Sequence, residues 1–118
     1  TLNVSGVNLQ LQKNLADIDL DIDRLIPLGL IANEVITNAM KYAFVNRNSG
    51  QLSIDFRRSG PDVELLIADD GPGLGKELSD KTDSFGSLLI RTFAEQLEGN
   101  VTVDDSAGTQ VRLRFPFG

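Results

Sequence analysis

The chain has 118 residues, enough for one domain, and its 41% hydrophobic and 24% charged residues are typical of a folded protein. Seventeen acidic residues against eleven scattered basic ones leave a formal charge of -6, which argues against nucleic acid as a partner. Cysteine and histidine are absent, which excludes disulfides, thiolate zinc sites, Ser-His-Asp hydrolysis and a phosphohistidine on this chain.

Targeting features point to a cytoplasmic domain. No apolar run approaches the roughly 20 residues of a membrane span, and residues 1–5 lack the charged and apolar regions of a signal peptide. We therefore expect a single domain over residues 1–118 with no direct membrane contact, although the parent protein of an excised domain could be membrane-anchored.

The first third of the chain predicts strands followed by a long helix. Residues 4–12 alternate apolar and polar side chains, as in a strand with one buried face. Residues 17–23 repeat the alternation with four aspartates, which predicts a short edge strand protected by charge. Asp23 is the expected N-cap of a central helix of about twenty residues that ends at Phe44, with Pro27 in its first turn.

The rest of the chain predicts two hairpins around a second helix. Alternation from Leu52 to Phe56 and a nearly all-apolar stretch before Asp69 predict two paired strands, the second of them central. After Asp70, small, charged and glycine residues without a period predict a mobile loop over residues 72–85. Helical spacing of apolar residues then predicts a helix over 86–98, and two strands are predicted over 100–104 and 109–115.

Three polar residues interrupt the apolar central helix. Glu34, Asn38 and Lys41 are four and three residues apart, so regular helical spacing puts them on one stripe. A carboxylate, an amide oxygen and an ammonium at successive turns suit a hydrated Mg²⁺ that carries phosphates. A solvent-facing helix surface has the same spacing, and spacing alone leaves both interpretations open.

A second candidate lies where the central strand ends. Asp69 and Asp70 lead into Gly71, Pro72 and Gly73, where missing side chains let a ligand approach the backbone. A carboxylate there can accept a hydrogen bond from an exocyclic amine, whereas a tight turn explains the same residues without a ligand.

The start of the second helix gives a third, weaker candidate. Gly86 and Ser87 would present free backbone N–H groups to a phosphate.

Four segments carry a resemblance when they are taken together and in this order: residues 33–42 (NEVITNAMKY), 69–73 (DDGPG), 86–89 (GSLL) and 108–109 (GT). They resemble, respectively, the asparagine box, the DxGxG box, the second glycine box and the closing element of the Bergerat-fold ATPases. This superfamily includes DNA gyrase, histidine kinases, a heat-shock chaperone class and mismatch-repair ATPases. Within it, residues 27–34 (PLGLIANE), 38–44 (NAMKYAF) and 90–97 (IRTFAEQL) look most like bacterial sensor histidine kinases of the non-classical dimerisation type.

The resemblance implies an α/β (α+β) two-layer sandwich, the Bergerat fold, with a mixed sheet of about five strands packed on three helices. It implies ATP and Mg²⁺ as cofactors. Asn38 would be a metal ligand, and Glu34 would help to hold the metal or its water, which makes them the expected catalytic pair. Lys41 would meet the phosphates, and Tyr42 would lie against the adenine.

The resemblance also assigns the adenine end of the site. Asp69 would accept the adenine amino proton, with Thr109 supporting that contact. Gly71 and Gly73 would shape the pocket floor, and residues 72–85 would form the ATP lid. Gly86 and Ser87 would lie at the phosphates.

Two departures from the family pattern stand out. Ser84 occupies the first glycine position of the second glycine box, and Ser87 replaces an expected leucine. The phosphoacceptor histidine of a complete kinase is absent from this chain.

The expected function is to bind ATP–Mg²⁺ and position the γ-phosphate for transfer to a histidine elsewhere. The expected partners are a histidine-containing dimerisation domain, on the same parent chain or its dimer mate, and indirectly a response regulator. Two alternatives stay open: a protein serine kinase of the anti-sigma type, and a degenerate Bergerat domain that docks without binding ATP.

Overall fold

The computed structural model describes most of the chain, apart from four internal gaps and the two terminal residues. The loop predicted over residues 72–85 falls, except for Phe85, outside the described part. The described residues are 2–4, 6–44, 46–71, 85–104 and 108–117.

The described strands form one mixed sheet, as predicted. The strands are β1 Leu2–Val4, β2 Val7–Leu15, β3 Ser49–Ser59, β4 Asp62–Asp69, β5 Asn100–Asp104 and β6 Thr109–Pro116. Five of them have five residues or more, and the sixth is the three-residue β1. Their order in the sheet is β1-β2-β3-β4-β6-β5; β2 and β3 are parallel, and the other neighbouring pairs are antiparallel.

The stretch predicted as one strand over residues 4–12 is divided by a hairpin turn. Gly6 has a φ of 84°, a conformation that glycine adopts without steric cost, and the chain reverses there between β1 and β2. The alternating pattern persists on both sides of the turn, so it does not reveal the reversal.

Two α-helices are present among the described residues, α1 over Ile22–Asn38 and α2 over Phe85–Gln96. A π-helical segment, Ala39–Ala43, continues α1. The third helix that the resemblance implied is therefore not confirmed by the described part of the chain. Neither helix there is long and apolar enough to cross a membrane.

The edge strand predicted over residues 17–23 is wrong. The last link to the sheet is the Ala16 N–H donating to the Phe56 carbonyl at 2.8 Å, after which the chain crosses to the helical layer without regular structure. The alternation arises because Ile18 and Leu20 pack on the core during this crossing.

The start of α1 also differs from the prediction. Asp21, and not Asp23, is its N-cap, with Oδ1 accepting from the Arg24 N–H at 3.0 Å. Pro27 therefore lies in the second turn of α1, and not in the first turn as predicted.

The core lies between one face of the sheet and the two helices. On β4, Val63, Leu65 and Ile67 face the helices, and Leu65 is flanked by Phe56 of β3 and Leu113 of β6. Period-two alternation continues this side of β4 to Asp69, so the strand places that carboxylate at the end of the core, beneath the helical layer.

The opposite face of the sheet is held by one buried acid. The Glu64 carboxylate is 5% exposed and lies 3.2 Å from Arg57 of β3, 3.2 Å from Arg112 of β6 and 3.9 Å from Arg114. These contacts satisfy the buried charge and join the three central strands.

Candidate functional site

Asp69 is the half-buried last residue of β4, and two backbone amides hold its side chain. Its Oδ1 accepts from the Gly71 N–H at 2.9 Å and from the Thr109 N–H at 3.3 Å. Both bonds end on Oδ1, so Oδ2 is the oxygen left to accept a hydrogen bond from a ligand. Asp69 and Thr109, which the resemblance assigns to the same end of the site, lie in direct contact across neighbouring strands.

Two glycines let the backbone pack closely around Asp69. A Cβ at Gly71 would lie 2.7 Å from the Cβ of Ala43 and 2.8 Å from its Cα, so the end of β4 touches the end of the π-helical segment. Gly108 has a φ of 78°, and a Cβ there would collide with the Asp69 carbonyl oxygen. Ala43 fills the space beside Gly71, so this glycine is needed first for packing, whereas the sequence suggested that the space admits a ligand.

Arg47 joins the two elements that meet at Gly71. Its Nη1 and Nη2 donate to Oδ1 and Oδ2 of Asp70 at 3.1 and 3.2 Å, a two-pronged ion pair. Nη1 also lies 3.3 Å from the Ala43 carbonyl and 3.2 Å from the Asp70 carbonyl. Asn46 turns the chain with a φ of 60°, which asparagine tolerates, between the helical segment and Arg47.

The charge on Asp70 is stabilised by these contacts. Partial burial acts to raise its pKa, but the hydrogen bonds from Arg47 and from the Gln51 N–H, with the attraction of the guanidinium, hold the pKa of Asp70 below its ordinary value. The carboxylate is therefore ionised over a wider pH range than a free aspartate.

The predicted metal-binding residues lie on α1, near its C-terminal end. Glu34 and Asn38 are half-buried, and neither makes a side-chain hydrogen bond or ion pair with any described residue. Their oxygens are thus available, and carboxylate and amide oxygens are the donors that Mg²⁺ prefers. Nowhere in the described part of the chain do three or more acidic side chains form a metal cluster.

The regular α-helical spacing from which a single stripe of Glu34, Asn38 and Lys41 was predicted ends at Asn38. The π-helical segment begins directly after Asn38, and its wider turn advances less per residue than an α-helix. Lys41 is therefore displaced from the regular spacing and is exposed. Tyr42 belongs to the same segment by its backbone, and its side chain lies outside the description.

The remaining predicted residues are only partly described. Gly86 and Ser87 lie in the first turn of α2, where helical backbone N–H groups have no intrahelical partner. Their side chains are not described, and Gly73 lies outside the described residues.

Arg47 is the residue of this site that sequence reasoning missed. Residues 46–50 have the composition of a loop, which predicts no partner for Arg47, and Asp70 is 23 positions away. The sequence offers two signals for this ion pair: a basic residue in the loop and two adjacent acids in the DDGPG segment. Neither signal specifies which residues pair.

The match to known proteins agrees with this geometry. Residues 2–115 match the model of the histidine kinase-like ATPase domain, and the chain belongs to that family. The fold is an α+β sandwich of the kind found in histidine kinases: the histidine kinase domain of Erythrobacter litoralis EL346 blue-light activated histidine kinase superposes with a TM-score of 0.84 at 25% identity, covering 92% of this chain and 55% of that one.

The relatives found by sequence are histidine kinases that are several times longer than this chain. The chain is 35% identical over 104 residues to the sensor histidine kinase PdtaS of Mycolicibacterium smegmatis, covering 84% of this chain and 21% of that protein. It is 32% identical over 91 residues to blue-light-activated histidine kinase 1 of Erythrobacter litoralis, covering 75% and 25% respectively. The chain thus spans about a fifth to a quarter of the length of these relatives.

The ion pair of Asp70 predicts a pH-dependent contribution to stability. Because the pKa is lowered in the folded state, the contribution is complete above the ordinary aspartate value of about 3.9 and disappears as pH falls through the folded value. We expect Asp70→Asn to lower the free energy of unfolding at pH 7 by about 1 kcal/mol or less, since both partners are partly exposed.

Urea unfolding of wild type and Asp70→Asn at pH 7 and at pH 3 measures this difference, which should shrink at pH 3. The exposed Asp17 gives a matched control, Asp17→Asn. An Asp70→Asn effect of equal size at both pH values would contradict the assignment.

Proposed function

We propose that this domain binds ATP with Mg²⁺ and positions the γ-phosphate for transfer to a histidine on a separate dimerisation domain of a two-component sensor kinase. The observation that carries the proposal is the Asp69 carboxylate, held through Oδ1 by two backbone amides with Oδ2 left to accept. Membership in the histidine kinase-like ATPase family supports the same function.

Adenine recognition is assigned to Asp69. A carboxylate oxygen can only accept a hydrogen bond, so Oδ2 would select the exocyclic amine of adenine over the carbonyl that guanine presents there. Thr109 supports the contact because its N–H fixes the other oxygen. Gly71 and Gly73 would form the floor beneath the base, and Tyr42 would lie against it.

Metal and phosphate contacts are assigned to the helical layer. Asn38 and Glu34 would hold Mg²⁺ through side-chain oxygens that make no hydrogen bond with the described residues. Two protein ligands are enough, because Mg²⁺ in proteins usually keeps waters and phosphate oxygens as its other ligands. When bound, Mg²⁺ would neutralise part of the negative charge of the phosphates. Lys41 would contribute a further positive charge, and Gly86 and Ser87 would offer backbone N–H groups.

Transfer itself would depend on alignment, with the acceptor outside this chain. The sequence contains no histidine, so no residue here can carry the phosphohistidine. The protein would contribute by orienting the nucleotide and stabilising charge, which are the principal requirements of phosphoryl transfer. A dimerisation domain on the parent chain or its dimer mate would supply the acceptor histidine. A response regulator would then receive the phosphoryl group from that histidine.

We expect Asp69→Asn to weaken ATP binding by roughly ten- to a hundredfold, since a hydrogen bond to a charged acceptor is lost, at about 1.5–3 kcal/mol. Calorimetric titration with ATP and with GTP measures this. Asp62→Asn, at the other end of the same strand, is the matched control and should leave ATP affinity unchanged. If ATP and GTP lose affinity equally, Asp69 only shapes a turn.

We expect Asn38→Ala to abolish Mg²⁺-dependent ATP binding and to leave the fold intact, because the half-buried amide makes no hydrogen bond with the described residues. Titration with and without Mg²⁺, beside a thermal melt, measures both effects. Asn33→Ala on the exposed part of the same helix is the control. Mg²⁺-dependent binding that survives Asn38→Ala contradicts the metal-ligand role.

Incubation with γ-labelled ATP tests the transfer step. The isolated chain should stay unlabelled, whereas a separately supplied cognate dimerisation hairpin should gain acid-labile, base-stable label. Acid-stable label on a partner protein would favour the serine kinase, and a chain that binds no nucleotide would favour the docking domain.

A further inference from the structure

The outer side of α1 carries an exposed apolar row. Ile22 is 68% exposed, Ile26 is 56% and Leu30 is 40%, and these residues are spaced by four, so they form one ridge along the helix. Leu25, three residues after Ile22, widens the ridge and is 49% exposed. We call Ile22, Leu25, Ile26 and Leu30 the outer stripe.

The outer stripe takes no part in the core. By helical spacing it lies on the side of α1 opposite Leu28, Ile31 and Val35, which are buried. Four exposed side chains of this size present a few hundred Å² of apolar surface, a size at which patches on soluble proteins usually mark an interaction.

Aspartates crowd the N-terminal end of the outer stripe. All four aspartates of residues 17–23 are exposed. Asp21 pairs with Arg24, the one basic residue of α1, at 3.5 Å. The other three, Asp17, Asp19 and Asp23, make no ion pair with the described residues.

We infer that the outer stripe is a docking surface for a basic amphipathic helix of a partner protein, one whose apolar row packs on the stripe and whose flanking lysines or arginines meet Asp17, Asp19 and Asp23. A helix fits because ridges spaced by four residues pack into the grooves of a second helix. Basic flanks fit because three exposed carboxylates make no ion pair with any of the described residues.

Charge argues against two other occupants. A second copy of this chain would bring further aspartates and only one arginine on α1, which Asp21 already engages. An anionic membrane would repel both the aspartates and the net charge of -6. Neither a second copy nor an anionic membrane offers electrostatic attraction to these aspartates, whereas a basic helix does.

Docking here does not depend on nucleotide. Glu34 and Asn38, the residues assigned to the metal, follow Leu30 at the same spacing of four and lie about one and two turns beyond the outer stripe, at the C-terminal end of α1. The inference therefore goes beyond the proposed function, and it can be tested with no ATP present.

The probe is a designed peptide helix of about five turns, with a leucine row flanked by lysines. Titration by NMR or calorimetry, without nucleotide, should give micromolar affinity for the wild-type chain. We expect Ile22→Ser/Ile26→Ser to bind at least tenfold more weakly, and Asp19→Asn/Asp23→Asn to bind several-fold more weakly at low salt. Val103→Ser, a similarly exposed apolar site on β5, should bind as wild type does.

Three outcomes would overturn the inference. One is equal peptide binding by wild type and Ile22→Ser/Ile26→Ser, which would mean attraction to acidic residues alone. Another is equal binding of the same peptide with glutamates in place of lysines. The third is concentration-dependent self-association of the wild-type chain through the stripe, or its binding to phosphatidylserine vesicles, in place of peptide binding. Thermal melts of all variants check that they stay folded.

Discussion

The end of β4 and the end of the π-helical segment are in direct contact, and the candidate site depends on that contact. Gly71 has room for no side chain because Ala43 lies against it. Arg47 holds the same junction through hydrogen bonds to the Ala43 carbonyl and the Asp70 carboxylate. Because Asp69 directly precedes Asp70 and Gly71, which are both anchored at this junction, its carboxylate has a fixed position relative to the helix that carries Asn38.

The arrangement divides α1 into three surfaces with different tasks. Leu28, Ile31 and Val35 pack on the sheet and fix the helix in place. Glu34 and Asn38 lie beside that buried side with unengaged oxygens. The outer stripe faces away from the core and lies N-terminal to Glu34 and Asn38, so one helix would join the core, the proposed nucleotide site and the proposed partner surface.

Much of this could be predicted from the sequence, because the signals were local. The nearly all-apolar stretch of β4 predicted a central strand and thereby put Asp69 at its end, and the apolar run after Asp23 predicted the long helix with Glu34 and Asn38 on it. Those patterns follow from burial, which each element imposes on its own sequence.

The errors came from tertiary constraints. The alternation of residues 17–23 reflects packing during a crossing between layers, which sequence cannot separate from a strand. The π-helical segment that moves Lys41 has no sequence period of its own. The Arg47–Asp70 pair spans 23 positions and depends on how β4 meets the helix, so composition showed only a loop and a turn.

The central claim is that Asp69, with the amides of Gly71 and Thr109, forms the adenine-binding end of the site. Amide chemical shifts of the ¹⁵N-labelled chain, followed during separate titrations with adenosine and guanosine, test it most directly, because both amides bond to the carboxylate that would receive the base. The account predicts that adenosine shifts the Gly71 and Thr109 resonances in a saturable way and that guanosine leaves them in place. Unmoved resonances at high adenosine, or equal shifts with both nucleosides, would contradict it.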